Sequence, residues 1–163
     1  MRAFLLLAGL CAALASPLAA QSSDLQLDGL NSKQFVSFLG PAAATITATQ
    51  PAALTLHFHI ADGFHINSHT PLSKLLIATQ LIAIEQQGVR VTSVDFPAGQ
   101  PYAFSFDPTN KLDVYSGDFT LVAKVKIVPG QHQFSAGLRY QACDHAACYP
   151  PKLLPVVVAV TAN

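Results

Sequence analysis

The residues best suited to chemistry lie near the end of the chain, in Tyr140-Gln141-Ala142-Cys143-Asp144-His145-Ala146-Ala147-Cys148-Tyr149-Pro150-Pro151. Two thiols this close can form and break a disulfide, and the carboxylate of Asp144 and imidazole of His145 between them are candidates to tune thiol reactivity. Alternating apolar residues run up to Cys143 and resume at Leu153, which predicts a hairpin with the cysteines at its loop. Opposed residues of such a hairpin stand roughly 4.5–5.5 Å apart between Cα atoms, and a disulfide accepts about 4.4–6.8 Å. The spacing leaves two uses open. As a staple, a closed loop of about six residues adds about 2 kcal/mol, against nearly 5 for a loop of about 100. A sandwich needing a cross-link gains more from joining distant strands, so a close pair at a loop tip suits opening and closing. Cys-x4-Cys is a weaker redox signal than Cys-x-x-Cys, and the structural bridge stays in play.

The six histidines raise a different chemistry. His57 and His59 fall on one face of an expected strand, His65 and His69 follow, and His145 with Cys143 and Cys148 would make three ligands for zinc or copper. The only methionine is Met1, whereas a thioether copper carrier would use several. Histidines on the surface of a β-sandwich account for the pattern better, so no metal and no cofactor is expected, and metal binding ranks as the third reading. No Ser-His-Asp order, nucleotide loop or paired carboxylate stands out, and Glu85 is the only glutamate.

These residues must be positioned by a small, uncharged scaffold. Of 163 residues 51% are hydrophobic and 11% charged, with nine Lys+Arg against nine Asp+Glu. That balance leaves no electrostatic footprint for nucleic acid or an anionic membrane, and the chain is too apolar for disorder. Residues 1–20 read as a signal peptide: Met1-Arg2 is a positive start, Ala3–Leu14 an apolar stretch, and Ala19-Ala20 a small-residue cleavage site before polar Gln21. Cleavage there discards Cys11 and leaves only Cys143 and Cys148, in a compartment where disulfides persist. No later apolar run reaches about 18 residues, so the mature chain is not expected to insert in a membrane.

Residues 21–40 end at Gly40-Pro41 and read as a leader, and residues 41–163 as one domain. Period-two alternation dominates the domain: Ala44/Ile46/Ala48, Leu54/Leu56/Phe58/Ile60, Phe119/Leu121/Ala123/Val125/Ile127 and Phe134/Ala136/Leu138/Tyr140 each alternate with mainly polar neighbours. Less regular strands are expected over 75–84, 89–96, 112–116 and 153–161, with a short helix the alternative for the apolar run of Leu72–Gln87. About eight strands with Gly and Pro between them predict an all-β, immunoglobulin-like antiparallel β-sandwich.

The segment Tyr-Gln-Ala-Cys…Cys-Tyr-Pro-Pro at 140–151 resembles the N-terminal periplasmic domain of the thiol:disulfide interchange protein DsbD. Gly63-Phe64-His65-Ile66-Asn67-Ser68, Phe96-Pro97-Ala98-Gly99 and Val114-Tyr115-Ser116-Gly117 are similar to further family segments, and the likeness covers roughly 35–160. The resemblance implies a periplasmic immunoglobulin-like domain that takes electrons from a thioredoxin-like donor and passes them to oxidised periplasmic thiol proteins. Family relay proteins continue into a transmembrane and a thioredoxin-like domain, so here the donor is expected on another polypeptide. The best-known member has one residue more between its cysteines.

Roles follow. Cys143 closes a strand and should be the more enclosed sulfur, whereas Pro150-Pro151 interrupt the ladder beside Cys148. With the resemblance, this makes Cys148 the interchange nucleophile and Cys143 the resolving thiol. The resemblance also implies a cap loop over the disulfide, for which Gln100–Asn110 with Tyr102, Phe104 and Phe106 is the candidate, ordinary core packing of those rings being the other reading.

Overall fold

A computed structural model describes residues 33–48, 51–84 and 86–163, with Lys33–Asn163 forming one compact unit. The expected signal peptide and most of the expected leader lie outside the described residues. Among those residues the chain is all β. Twelve strands follow in order: β1 (Val36–Gly40), β2 (Ala43–Ile46), β3 (Ala52–Ile60), β4 (His65–Asn67), β5 (Gln80–Ala83), β6 (Val89–Asp95), β7 (Gln100–Phe104), β8 (Asp107–Tyr115), β9 (Asp118–Ile127), β10 (Gly130–Tyr140), β11 (Ala142–Cys143) and β12 (Lys152–Ala162).

They form three four-stranded sheets, in the orders β1-β3-β9-β6, β2-β12-β10-β5 and β11-β4-β8-β7. The first two make the sandwich. Period-two sequence produces its core directly: Leu54, Leu56, Phe58 and Ile60 of β3, Leu121, Ala123, Val125 and Ile127 of β9, Phe134, Ala136, Leu138 and Tyr140 of β10, and Val156, Val158, Val160 and Ala162 of β12 belong to one buried cluster. The residues between them face outward.

Three features depart from the sequence-based expectation. Val36–Gly40, assigned to the leader, is a strand of the domain: Val36 pairs with Ile60 and Phe38 with Phe58. Residues 68–79 form no helix, and only Gln80–Ala83 of the apolar run is a strand; Leu72 and Leu75 are exposed, so that run contributes no helical apolar face. The sandwich is also not wholly antiparallel, because β2 runs parallel to β12, Ala43 opposite Ala159 through Ile46 opposite Ala162. At Gly40-Pro41 the chain passes from the first sheet, where β1 pairs with β3, to the second, where β2 lies against β12.

The longest ladder positions the site. β10 and β12 pair without a break from Gly130 opposite Ala162 to Tyr140 opposite Lys152. Their connection, residues 141–151, carries both cysteines. Pro155 is accommodated because β2 covers only the Ala159–Ala162 end of β12, leaving an edge where a missing N–H costs no ladder bond.

Candidate functional site

At the end of that ladder the chain leaves β10 and changes sheets. Ala142 and Cys143 pair as β11 with Ile66 and His65 of β4, while Ile66 and Asn67 pair on the other side with Tyr115 and Val114 of β8. The turn feeding β4 needs Gly63, whose φ is 80°, a conformation that disfavours a Cβ; Phe64 N–H donates to Ala61 C=O at 3.0 Å to close it.

Cys143 and Cys148 are joined by a disulfide with a Cα–Cα distance of 3.9 Å, closer than the hairpin estimate. The cause is local. Tyr149 N–H donates to Ala142 C=O at 2.8 Å and Asp144 N–H to Ala147 C=O at 2.9 Å. These bonds flank the cysteines and make them a non-hydrogen-bonded pair, the narrow kind of antiparallel bridge. The two sulfur residues differ sharply in environment. Cys143 is 0% exposed, whereas Cys148 is exposed on the loop.

Asp144 organises the loop between them. Its Oδ1 accepts from the N–H groups of Ala146 and Ala147, both at 2.8 Å, and its Oδ2 accepts from the Tyr149 hydroxyl at 2.7 Å. These bonds, led by that of Ala146, hold its carboxyl down to about 2, with the charge of His145 a smaller contribution. The Tyr149 phenol is pushed above its ordinary value, first by the same bond to Asp144. His145 itself lies exposed at the loop tip. Tyr149 ties the loop to the entering chain: its ring stands 4.7 Å from that of Phe35 and 5.9 Å from that of Phe64. Gln141 Nε2 donates to Tyr149 C=O at 3.2 Å.

The expected cap segment is a hairpin, β7 and β8 joined by a two-residue turn at Ser105-Phe106. Its aromatic rings form a file: Phe106 stacks on Phe104 at 4.9 Å, Phe104 meets Tyr102 edge-on at 5.4 Å, and Tyr102 lies 4.0 Å from the His65 ring. Since His65 is the register partner of Cys143, the file ends beside the buried cysteine. Phe106 is 69% exposed and Phe104 half-buried, so these rings are not sandwich core.

Among the described residues no three His, Cys, Asp or Glu side chains are grouped to hold a metal ion. His57 and His59 do share the outer face of β3, where their Nδ1 atoms meet Thr120 Oγ1 at 3.1 Å and Asp118 Oδ1 at 2.6 Å. Sequence reasoning passed over His65 as one histidine among several. Its place opposite Cys143 depends on a strand pairing across 78 positions, for which no local pattern exists.

The family model for the N-terminal region of the thiol:disulfide interchange protein DsbD matches residues 36–154. The chain belongs to this family. A search of curated proteins finds no match. Among solved structures, the chain is similar to the N-terminal domain of DsbD from Neisseria meningitidis in the reduced form, at TM-score 0.42 and 16% identity, over 71% of this chain and 82% of that one. It is also similar to the N-terminal periplasmic domain of ScsB from Proteus mirabilis, at TM-score 0.48 and 11% identity, over 77% of this chain and 44% of that one. The start of the match at residue 36 coincides with β1, so the DsbD N-terminal domain takes in the strand that composition left in the leader. Among the described residues no helix is long and apolar enough to cross a membrane.

Proposed function

We propose that this DsbD N-terminal-like domain is an exported, periplasmic thiol–disulfide exchange module, a protein-disulfide reductase component that relays reducing equivalents from a thioredoxin-like donor to oxidised periplasmic thiol proteins. The observation that carries the reading is the asymmetry of the disulfide, one sulfur enclosed and the other at the surface of a short loop. Exchange requires one sulfur within a partner's reach and a second held to resolve the mixed disulfide.

In the reducing half, a donor thiolate attacks Cys148 Sγ, a donor–Cys148 disulfide forms, and the Cys143–Cys148 bond breaks with its electron pair leaving on Cys143. The donor's second thiol then releases the domain as a dithiol. In the delivering half, Cys148 thiolate attacks a substrate disulfide and Cys143 closes on Cys148, freeing the substrate as a dithiol. The loop built by Asp144, with His145 beside it, supports an exposed Cys148, and the Tyr102–Phe104–Phe106 file supports a cap that limits access from the hairpin side. No cofactor takes part.

Two measurements test this. Titration against glutathione should place the pair well above the roughly −300 mV that marks structural bridges; a value below it favours a binding module with a structural disulfide. Cys143→Ala should accumulate a mixed disulfide with a thioredoxin-like protein through Cys148, whereas Cys148→Ala should not. Trapping by Cys148→Ala instead would reverse the roles.

A further inference from the structure

His65 is 4% exposed, and its Nε2 is buried without a hydrogen-bond partner. A buried polar nitrogen left unpaired costs free energy, and the other buried side-chain atom without a partner among the described residues is Asn67 Oδ1. Asn67 Nδ2 donates to Ile77 C=O at 3.1 Å, and Thr79 Oγ1 donates to Asn67 C=O at 2.6 Å. Of these two unpaired atoms, His65 Nε2 belongs to the residue directly opposite Cys143 in the β4–β11 pair. Directly opposed residues project to the same face with Cβ atoms about 4.5–5.5 Å apart, a gap that an imidazole and a thiol together span. Tyr102 covers the ring at 4.0 Å and Phe104 at 5.9 Å, which keeps water from serving the same purpose.

The exchange cycle contains a step that needs a base at this spot. To resolve a mixed disulfide on Cys148, Cys143 must attack as a thiolate, yet it is enclosed in an environment that favours the protonated thiol. We propose that His65 takes the proton from Cys143 Sγ as that sulfur closes on Cys148 and displaces the substrate thiolate, and delivers a proton drawn from solvent when Cys143 is released in the opposite half-reaction. The Cys143–Cys148 bond forms, the Cys148–substrate bond breaks, the electron pair departs on the substrate sulfur, and the proton rests on the imidazole before passing to solvent. Burial lowers the affinity of His65 for a proton, the charge of Asp144 partly opposing this, so the ring is neutral and able to accept at pH 7. The titratable groups facing it are Cys143 and Asp144 from the cysteine hairpin and Tyr102 from β7; β8 brings Tyr115 opposite the neighbouring Ile66.

This inference rests on the exchange reading for its purpose, but it can be tested on the reduced protein alone. An aromatic disulfide reporter releases one coloured thiolate when Cys148 attacks it and a second when Cys143 resolves the adduct. In His65→Gln and His65→Phe, the second phase should slow roughly tenfold or more at pH 7 while the first is unchanged. The deficit should shrink as pH rises and the thiol ionises unaided. Equal second phases in a folded variant overturn the proposal, as does equal slowing of both phases, which marks a structural role. The exchange reading fails separately, through its potential and trapping results, whatever the reporter shows.

Discussion

In the sandwich, no polar or charged residue of β3, β9, β10 or β12 is buried, and their buried side chains are hydrophobic. In the smaller sheet β11-β4-β8-β7 and the chain leading from it, the buried positions include His65, Asn67, Ser68 and Thr79, the buried polar residues of the described chain. The first region is held by area removed from water, which is insensitive to direction. The second is held by directed bonds: Ser68 N–H to Asp113 C=O at 2.9 Å, Thr79 N–H to Ser68 C=O at 3.1 Å, His69 N–H to the Tyr115 hydroxyl at 3.0 Å. Stability and chemistry are therefore divided between them. The disulfide hangs where the two regions meet, its loop anchored on the dry β10–β12 ladder and its buried cysteine reading the polar sheet.

The division makes its largest prediction for the sandwich. Phe58 is fully buried, 5.3 Å from the ring of Phe38 and 5.0 Å from that of Phe119. Phe58→Ala should cost about 3–5 kcal/mol, read as a fall in the urea midpoint at constant slope. The rate at which dithiothreitol opens the disulfide in the folded protein should barely move. A rate rising in step with the lost stability would show that the sulfurs are reached by global opening, and would erase the distinction between the regions.

A change at the hairpin tip should do the opposite. Phe104→Ala with Phe106→Ala removes rings that lie outside the sandwich core, so the unfolding midpoint should shift by no more than about 1 kcal/mol. Reduction by dithiothreitol should quicken several-fold because the file beside His65 and Cys143 is shortened. Unchanged reactivity in the folded double variant would leave these rings as packing and remove the cap.

How legible each region was follows from the same physics. Where one face of a strand is dry and the other wet, the sequence must alternate, and Leu54–Ile60, Phe119–Ile127 and Phe134–Tyr140 could be placed without a structure. The cysteine pair was legible because a separation of five fixes a loop by itself. β4 was not: His65, Ile66 and Asn67 are all buried, so three successive positions break the alternation, and nothing local distinguishes a buried imidazole opposite a cysteine from one facing solvent. β1 was hidden by the Gly40-Pro41 that follows it. The apolar run from Leu72 misled in the other direction, since Leu72 and Leu75 are exposed and the segment is ordered by bonds from Asn67 and Ser68. The site came into view through two cysteines and a family resemblance; the group opposite Cys143 required long-range pairing.

The smallest effect expected is confined to the cysteine loop and lies in acid. Asp144 is held down to about 2 from an ordinary value near 3.8 by the bonds it accepts. A carboxyl depressed by folding stabilises above its unfolded value and loses that contribution as pH falls toward the folded one. Order in the loop should therefore be complete above pH 4 and decline between about 4 and 2. Amide exchange at Ala146 and Ala147 should report it, those N–H groups being the donors to Oδ1. The sandwich amides of β3 and β9 should stay protected through the same window, because the carboxylate on their ladder, Asp118, bonds the exposed His59 side chain and not a backbone N–H. Asp144→Asn keeps an acceptor oxygen but not the charge, so its loop should exchange somewhat faster at neutral pH and show no acid step. If the step survives in Asp144→Asn, the loop is not set by this carboxylate, and the separation of a bond-directed site from an area-stabilised core would have to be drawn elsewhere.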